Sequence, residues 1–253
     1  MNTGGPLQSD LAIVVGAIDY GDADRIVTFL TREHGKLRGL ARSAKKSQRR
    51  FGAALELCSK VEVRYSERPG AELAHLDACD LLDPYAGLRD DLVRLAAASY
   101  AVELAREAAQ EKEASHALFD LLDRFLGALA RGDQTFGNAH GMVRVFELRA
   151  LDLLGWRPEL DRCASCGGEL GGAERPRFFF APAAGGLVCS DCADGARGYW
   201  LSRETVAALR LVRAGKRVVL SPPVVKESGA ALAELIDRHL ERPLRSRAFL
   251  EST

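Results

Sequence analysis

Two cysteine pairs, Cys163-Ala-Ser-Cys166 and Cys189-Ser-Asp-Cys192, are the residues whose type and spacing speak most directly of chemistry. Two residues between the thiols of a pair let both turn toward one ion, and a second pair completes a tetrahedral set suited to zinc. Gly167 and Gly168 allow the tight turn that must follow the first pair. Residues 167–188 separate the pairs, slightly more than in a usual zinc ribbon. Four thiolates would close the coordination sphere and leave no position for water, so the Zn2+ expected here is structural and not catalytic. Redox dithiols or unrelated buried thiols are the alternatives for the same residues. Cys58 and Cys79 stand alone and read as core filler.

A second candidate is a segregation of charge. Formal net charge is +0, yet no acidic residue lies between Glu33 and Glu56, where Lys36, Arg38, Arg42, Lys45, Lys46, Arg49 and Arg50 all fall. Cations without counter-charges on a strand and the loop after it suit contact with nucleic-acid phosphates; a merely solvated loop is the competing reading. Tyr20, Phe29, Phe51 and Tyr65 are the aromatics of this region, with Phe29 expected in the core. Binding is therefore expected to lean on phosphates and to tolerate any base sequence. Phe178, Phe179 and Phe180 read as the small core of the cysteine module and not as a base-stacking patch. No catalytic residue is expected: the histidines form no triad, and neither a G-x-x-x-x-G-K-[ST] loop nor an acidic metal cluster is present in the sequence.

The elements that must position these residues follow from hydrophobic period. Leu11–Ile18, Ile26–Leu30, Lys36–Ala41, Leu55–Tyr65 and Leu73–Leu82 alternate as five strands, separated by turn signals such as Tyr20-Gly21-Asp22. Five short strands suit a closed barrel of OB type, since closure removes exposed edges. After Pro84 the period becomes helical, with runs through Leu88–Val102 and Leu118–Leu129 and a helix over 139–154. Ser202 is the expected N-cap where helical patterning resumes after the cysteines. The fold class is α+β and multidomain: an OB-fold β-barrel in 1–83, an α-helical domain in 84–160 and 197–253, and a four-cysteine zinc module in 161–196 inserted between its parts. Hydrophobic residues at 47% and charged residues at 28% supply a core and a polar surface. The absence of a signal-like start or a long apolar run points to a cytoplasmic protein with reduced thiols and no membrane partner.

In order along the chain, Tyr20–Thr28 (YGDADRIVT), His34–Arg42 (HGKLRGLAR), Ser99–Leu104 (SYAVEL), Phe146–Arg149 with Leu154–Pro158 (FELR, LGWRP) and Arg242–Leu250 (RPLRSRAFL) resemble the RecO family of bacterial recombination mediators. The resemblance spans nearly the whole chain and implies an N-terminal OB fold, a helical domain and a zinc module. It also implies binding of single- and double-stranded DNA and annealing of complementary strands in the nucleoid. With RecR, a mediator of this kind would help load RecA onto DNA coated by single-strand-binding protein, whose tail the helical domain would receive. Lys36, Arg38 and Arg42 would fall in the basic barrel segment. Ser43 departs from the family by standing where relatives carry glycine, which implies a differently shaped loop. The rivals are a zinc-ribbon enzyme, either a nuclease or a thiol oxidoreductase, and an adaptor that binds only protein.

Overall fold

The computed structural model describes residues 5–47, 49–171 and 175–253. The chain forms two compact units. The first holds the chain up to Gly132 and, after an excursion, Arg245–Thr253; the second is Asp133–Leu244. Pro84 marks the change from strand to helix, while compactness divides the chain elsewhere: the two helices that follow Pro84 fold with the strands.

In the first unit, β1 (Leu7–Tyr20), β2 (Asp24–Thr31), β3 (Gly35–Ala41), β4 (Lys60–Ser66) and β5 (Ala74–Asp83) close into a barrel of order β1-β2-β3-β5-β4. The long first strand makes closure possible, because it pairs with β2 through Ala12–Tyr20 and with β4 through Leu7–Ile13. A bulge between Val14 and Gly16 bends it from one neighbour to the other. The last seam, between β3 and β5, is parallel and short, with Gly39 opposite Ala74 and Leu40 opposite His75. Gly39 suits this seam: a Cβ there would lie 2.4 Å from a Leu76 methyl. Alternation then sends Val14, Val27, Phe29, Leu37, Val61 and Val63 into one buried core.

The strand expected over Leu55–Tyr65 begins only at Lys60. Leu55 instead joins Phe51 and Ala54 in closing the barrel core from the loop, and Cys58 takes a positive φ of 70° that no strand tolerates. Leu55-Glu56-Leu57 alternates like a strand, yet Leu55 is a buried plug and Leu57 is 40% exposed. Cys58 thus lies outside any strand, whereas Cys79 sits in β5; burial pushes both thiols up to about 12, as inert core residues.

Helices α1 (Leu92–Ala108) and α2 (His116–Ala130) complete this unit together with a terminal helix. Asp91 starts α1 by accepting hydrogen bonds from Val93 and Arg94 N–H, a cap worth about 1 kcal/mol. α1 packs against β1 and β2 and α2 against β1, and Ile13, Val15 and Leu30, which lie outside the barrel-core cluster, are fully buried. The second unit contains α3 (Ala139–Leu153), β6 (Arg177–Ala181), β7 (Gly186–Val188), the short α4 (Ser190–Ala193), β8 (Tyr199–Ser202), α5 (Arg203–Arg213) and α6 (Pro222–Asp237). Its strands form an antiparallel sheet of order β7-β6-β8. Ser202 does cap α5, accepting from Thr205 N–H at 3.2 Å. The chain ends in α7 (Ser246–Glu251), which packs on α1 in the first unit. Among the described residues, no helix is long and apolar enough to cross a membrane.

Candidate functional site

The two cysteine knuckles converge. Cys163 and Cys166 lie on the loop before β6, and Cys189 and Cys192 follow β7 directly. Ala164 N–H donates to Leu187 O at 2.8 Å, which ties the first loop to that strand. Within the first knuckle Gly167 N–H returns to Cys163 O at 2.8 Å, with Gly167 in the left-handed region at φ 73°. All four Sγ atoms then lie within 4.8 Å of one another, and Cys166 and Cys189 are 3.9 Å apart. A tetrahedron of thiolates each about 2.3 Å from zinc has edges of about 3.8 Å, so the set fits a metal with little adjustment.

The electrostatics favour the same fit. Burial opposes the Cys163 thiolate, but backbone N–H groups of Cys166, Cys189 and Ser165 hold its pKa down at about 6. The neighbouring thiols of Cys189, Cys163 and Cys166 push Cys192 up to about 12. One sulfur ionises readily and another resists, because negative charge accumulates; a divalent cation at the centre removes that conflict. Phe178, Phe179 and Phe180 are buried around the sheet, in agreement with a core role.

The seven cations of the basic segment do not act alike. Lys36 points to the end of α1, with Nζ 3.5 Å from Arg106 O. Lys45 pairs with Asp19 at 3.0 Å. Arg50 braces its own loop, donating to Arg42 O at 2.5 Å and Ser47 Oγ at 3.1 Å and lying over the Phe51 ring. Arg38, Arg42, Lys46 and Arg49 are exposed, and among the described residues none has an ion-pair partner. Ser43 has φ 54° and donates its N–H to Asp24 Oδ1 at 2.7 Å, so the serine keeps the left-handed turn that glycine favours.

Other residues on the barrel carry no local sequence signal. Arg68, exposed on the β4–β5 loop, lines a groove of about 470 Å³ with Leu7, Leu40, Arg42 and His75. Asp10 is buried and binds the β2–β3 turn, accepting from Glu33 N–H at 3.1 Å and meeting His34 Nδ1 at 2.9 Å. The hydrogen bond pairs His34 with a carboxylate but not with a nucleophile, so it orders the turn. Of the four aromatics in this region, Phe29, Phe51 and Tyr65 are buried and Tyr20 is 56% exposed.

Comparison with known proteins matches this architecture over nearly the whole chain. Residues 7–85 match the family model for the recombination protein O N terminal, and residues 89–248 match that for the recombination protein O C terminal. The DNA repair protein RecO of Anaeromyxobacter sp. (strain Fw109-5) is 41% identical over 245 residues, covering 94% of this chain and 93% of that protein. The DNA repair protein RecO of Geobacter metallireducens is 40% identical over 243 residues, 95% of each chain. That of Myxococcus xanthus is 40% identical over 248 residues, 95% of this chain and 96% of its own. A five-stranded closed barrel, a helical region bearing four gathered cysteines, and full-length similarity at this level place the chain in one group: it belongs to the RecO family of DNA repair proteins.

Proposed function

We infer that this chain is a non-catalytic mediator that binds single- and double-stranded DNA through its barrel and promotes pairing of complementary strands. The observation that carries the reading is the set of unpaired, exposed cations Arg38, Arg42, Lys46 and Arg49 on β3 and the loop after it. Each phosphate neutralised by such a cation releases counterions, an entropic gain that needs no base sequence. Lys36, Lys45 and Arg50 belong to the same segment but serve mainly to shape it. Annealing requires no bond to be made or broken by the protein. A chain that holds one strand, and through partners the strand covered by another protein, raises their effective concentration and leaves base pairing to finish.

Family membership supports the partners of this reading: RecR, single-strand-binding protein and, through them, RecA, in the cytoplasm at the nucleoid. The metal of the reading is Zn2+ on Cys163, Cys166, Cys189 and Cys192, which supplies a closed tetrahedral link and no reactive position. The chain's own part is to bring the loop before β6 and the turn after β7 together, so that metal binding and local folding are one event. The deciding experiment is annealing of complementary oligonucleotides coated with single-strand-binding protein, with the wild-type chain and an Arg38, Arg42, Lys46, Arg49 quadruple alanine variant. The reading expects annealing by the first and little by the second; wild-type protein that neither binds nor anneals DNA overturns it.

A further inference from the structure

The four sulfurs of the cysteine set share a centre but not an environment. Cys163 is 2% exposed, and backbone N–H groups of Cys166, Cys189 and Ser165 point at its sulfur, that of Cys189 at 3.3 Å. Cys189 and Cys192 are half-buried. Cys166 is the exposed member of the set.

Gly168 is what leaves it open. Gly167 answers to its backbone, with φ 73°, but Gly168 lies outside the left-handed region and its place could be taken by any residue. Among the described residues, a Cβ on Gly168 would come close to one atom, the Cys166 Sγ, at 3.3 Å. The missing side chain therefore bares one flank of that sulfur, and Gly167 and Gly168 form part of the wall of a cavity of about 640 Å³. A filled coordination sphere closes the metal to water, but it does not close this sulfur, which keeps lone pairs that no ligation uses. An exposed thiolate with a second thiolate beside it is the arrangement in which two-electron oxidation passes through sulfenic acid to a disulfide. Cys189 is that second thiolate: its Sγ lies 3.9 Å from that of Cys166. Closing to the disulfide length of about 2.05 Å requires a movement of about 2 Å.

We propose that Cys166 is an oxidation site, at which a small hydroperoxide exchanges the metal link between the two knuckles for a Cys166–Cys189 disulfide and releases the zinc. The proposal rests on the zinc reading above and adds a reaction to it. The Cys166 sulfur attacks the peroxide, an S–O bond forms as the O–O bond breaks, and the departing hydroxide takes a proton from solvent. The Cys189 sulfur then attacks that of Cys166, the S–S bond forms as the S–O bond breaks, and a second hydroxide leaves and is protonated. Two thiolates, one hydrogen peroxide and two protons give one disulfide and two waters; the sulfurs lose two electrons and the peroxide gains them. Zinc leaves as Zn2+, because Cys163 and Cys192 alone are too few to complete a tetrahedral site. The disulfide keeps the loop before β6 joined to the turn after β7, so a thiol reductant and zinc restore the original state.

The test treats the zinc-loaded full chain with hydrogen peroxide beside a chromophoric chelator too weak to strip the untreated protein. A diketone that traps sulfenic acid, read by peptide mass spectrometry, locates the first cysteine oxidised. The expected result is release of about one zinc per chain, the trap on Cys166, and a Cys166–Cys189 disulfide when the trap is omitted. Cys58 and Cys79, 3% and 4% exposed, should stay reduced as internal controls. Gly168→Ala sets a methyl beside the sulfur, and Cys166→His keeps a zinc-binding set without the exposed thiolate; each should release zinc about tenfold more slowly than wild type. Where a variant fails to hold zinc, the position of the trap on the wild-type chain decides. A trap that appears first on Cys163, Cys189 or Cys192, zinc retained at peroxide levels that consume a free cysteine peptide, or equal release from zinc-loaded variants overturns the proposal and leaves the zinc reading intact. Reduced protein that takes up no zinc removes both.

Discussion

The second unit gathers its four chemically active side chains until their sulfurs lie within 4.8 Å, whereas the first unit spreads its unpaired cations along a strand and a loop. Each arrangement suits its ligand. A metal ion is a point, and only convergent donors with compressed, mutually repelling charges make a use for it. A polyanion is a line, and cations that bind it gain from separation, which limits their own repulsion and matches several phosphates at once. The two units also differ in what holds them together. Around the cysteines the visible ties are backbone hydrogen bonds such as Ala164 N–H to Leu187 O at 2.8 Å; around the barrel they are side-chain locks such as Asp123 between Tyr85 Oη and Lys60 Nζ, the latter at 2.9 Å.

The sharpest way to break this contrast is to remove the metal. Freshly purified, reduced protein should carry about one zinc per chain, and a strong chelator or Cys163→Ala should abolish it. Hydrogen exchange should then rise across β6, β7 and β8 while the barrel strands keep their protection, because ligation and folding are coupled only in the cysteine module. Substoichiometric zinc in fresh protein, or equal loss of protection in both units, removes the distinction. A smaller effect tests the other side. Alanine at Arg38, Arg42, Lys46 and Arg49 should weaken DNA binding by about 100-fold near 0.1 M salt and flatten the log–log salt slope by about three, whereas alanine at Lys36, Lys45 and Arg50 should change that slope by less than about one. Titration at several salt concentrations compares the two; equal slopes would show that charge count, and not the pairing described above, governs contact.

These regions were legible in the sequence to different depths, and for a physical reason. The metal set could be read because the geometry of a knuckle is local: two residues between cysteines nearly determine where the thiols point. The barrel strands and the helix boundaries at Ala139 and Ser202 could be read for the same reason, from period and caps. Charge was legible only as a sum. The stretch from Glu33 to Glu56 has no acid, but Lys45 finds Asp19 across the sheet, a partner no window on that stretch contains. Leu55 deceived the strand pattern because a plug and a strand residue are both buried.

The least dramatic prediction concerns a lock in the first unit. Glu103 of α1 accepts hydrogen bonds from Ser246 N–H at 2.8 Å and Ser246 Oγ at 2.5 Å, holding the start of α7 against α1. Burial alone would favour the neutral acid, but the Ser246 hydroxyl, the backbone N–H groups of Ser246 and Arg245, and Arg106 stabilise the carboxylate, and its pKa is lowered. A folded-state pKa below the unfolded value adds stability above about pH 4.3, and that stability is lost as pH falls through the lowered folded value. Glu103→Gln removes the charge that accepts both bonds, so it should cost about 1–2 kcal/mol at pH 7 and progressively less in acid, approaching wild type once the pH lies below the lowered folded value. Urea unfolding followed at a series of pH values measures the difference. A constant gap across the range would assign the cost to packing instead of charge. Because this lock holds the barrel unit and contains no metal, chelation should leave its pH profile unchanged.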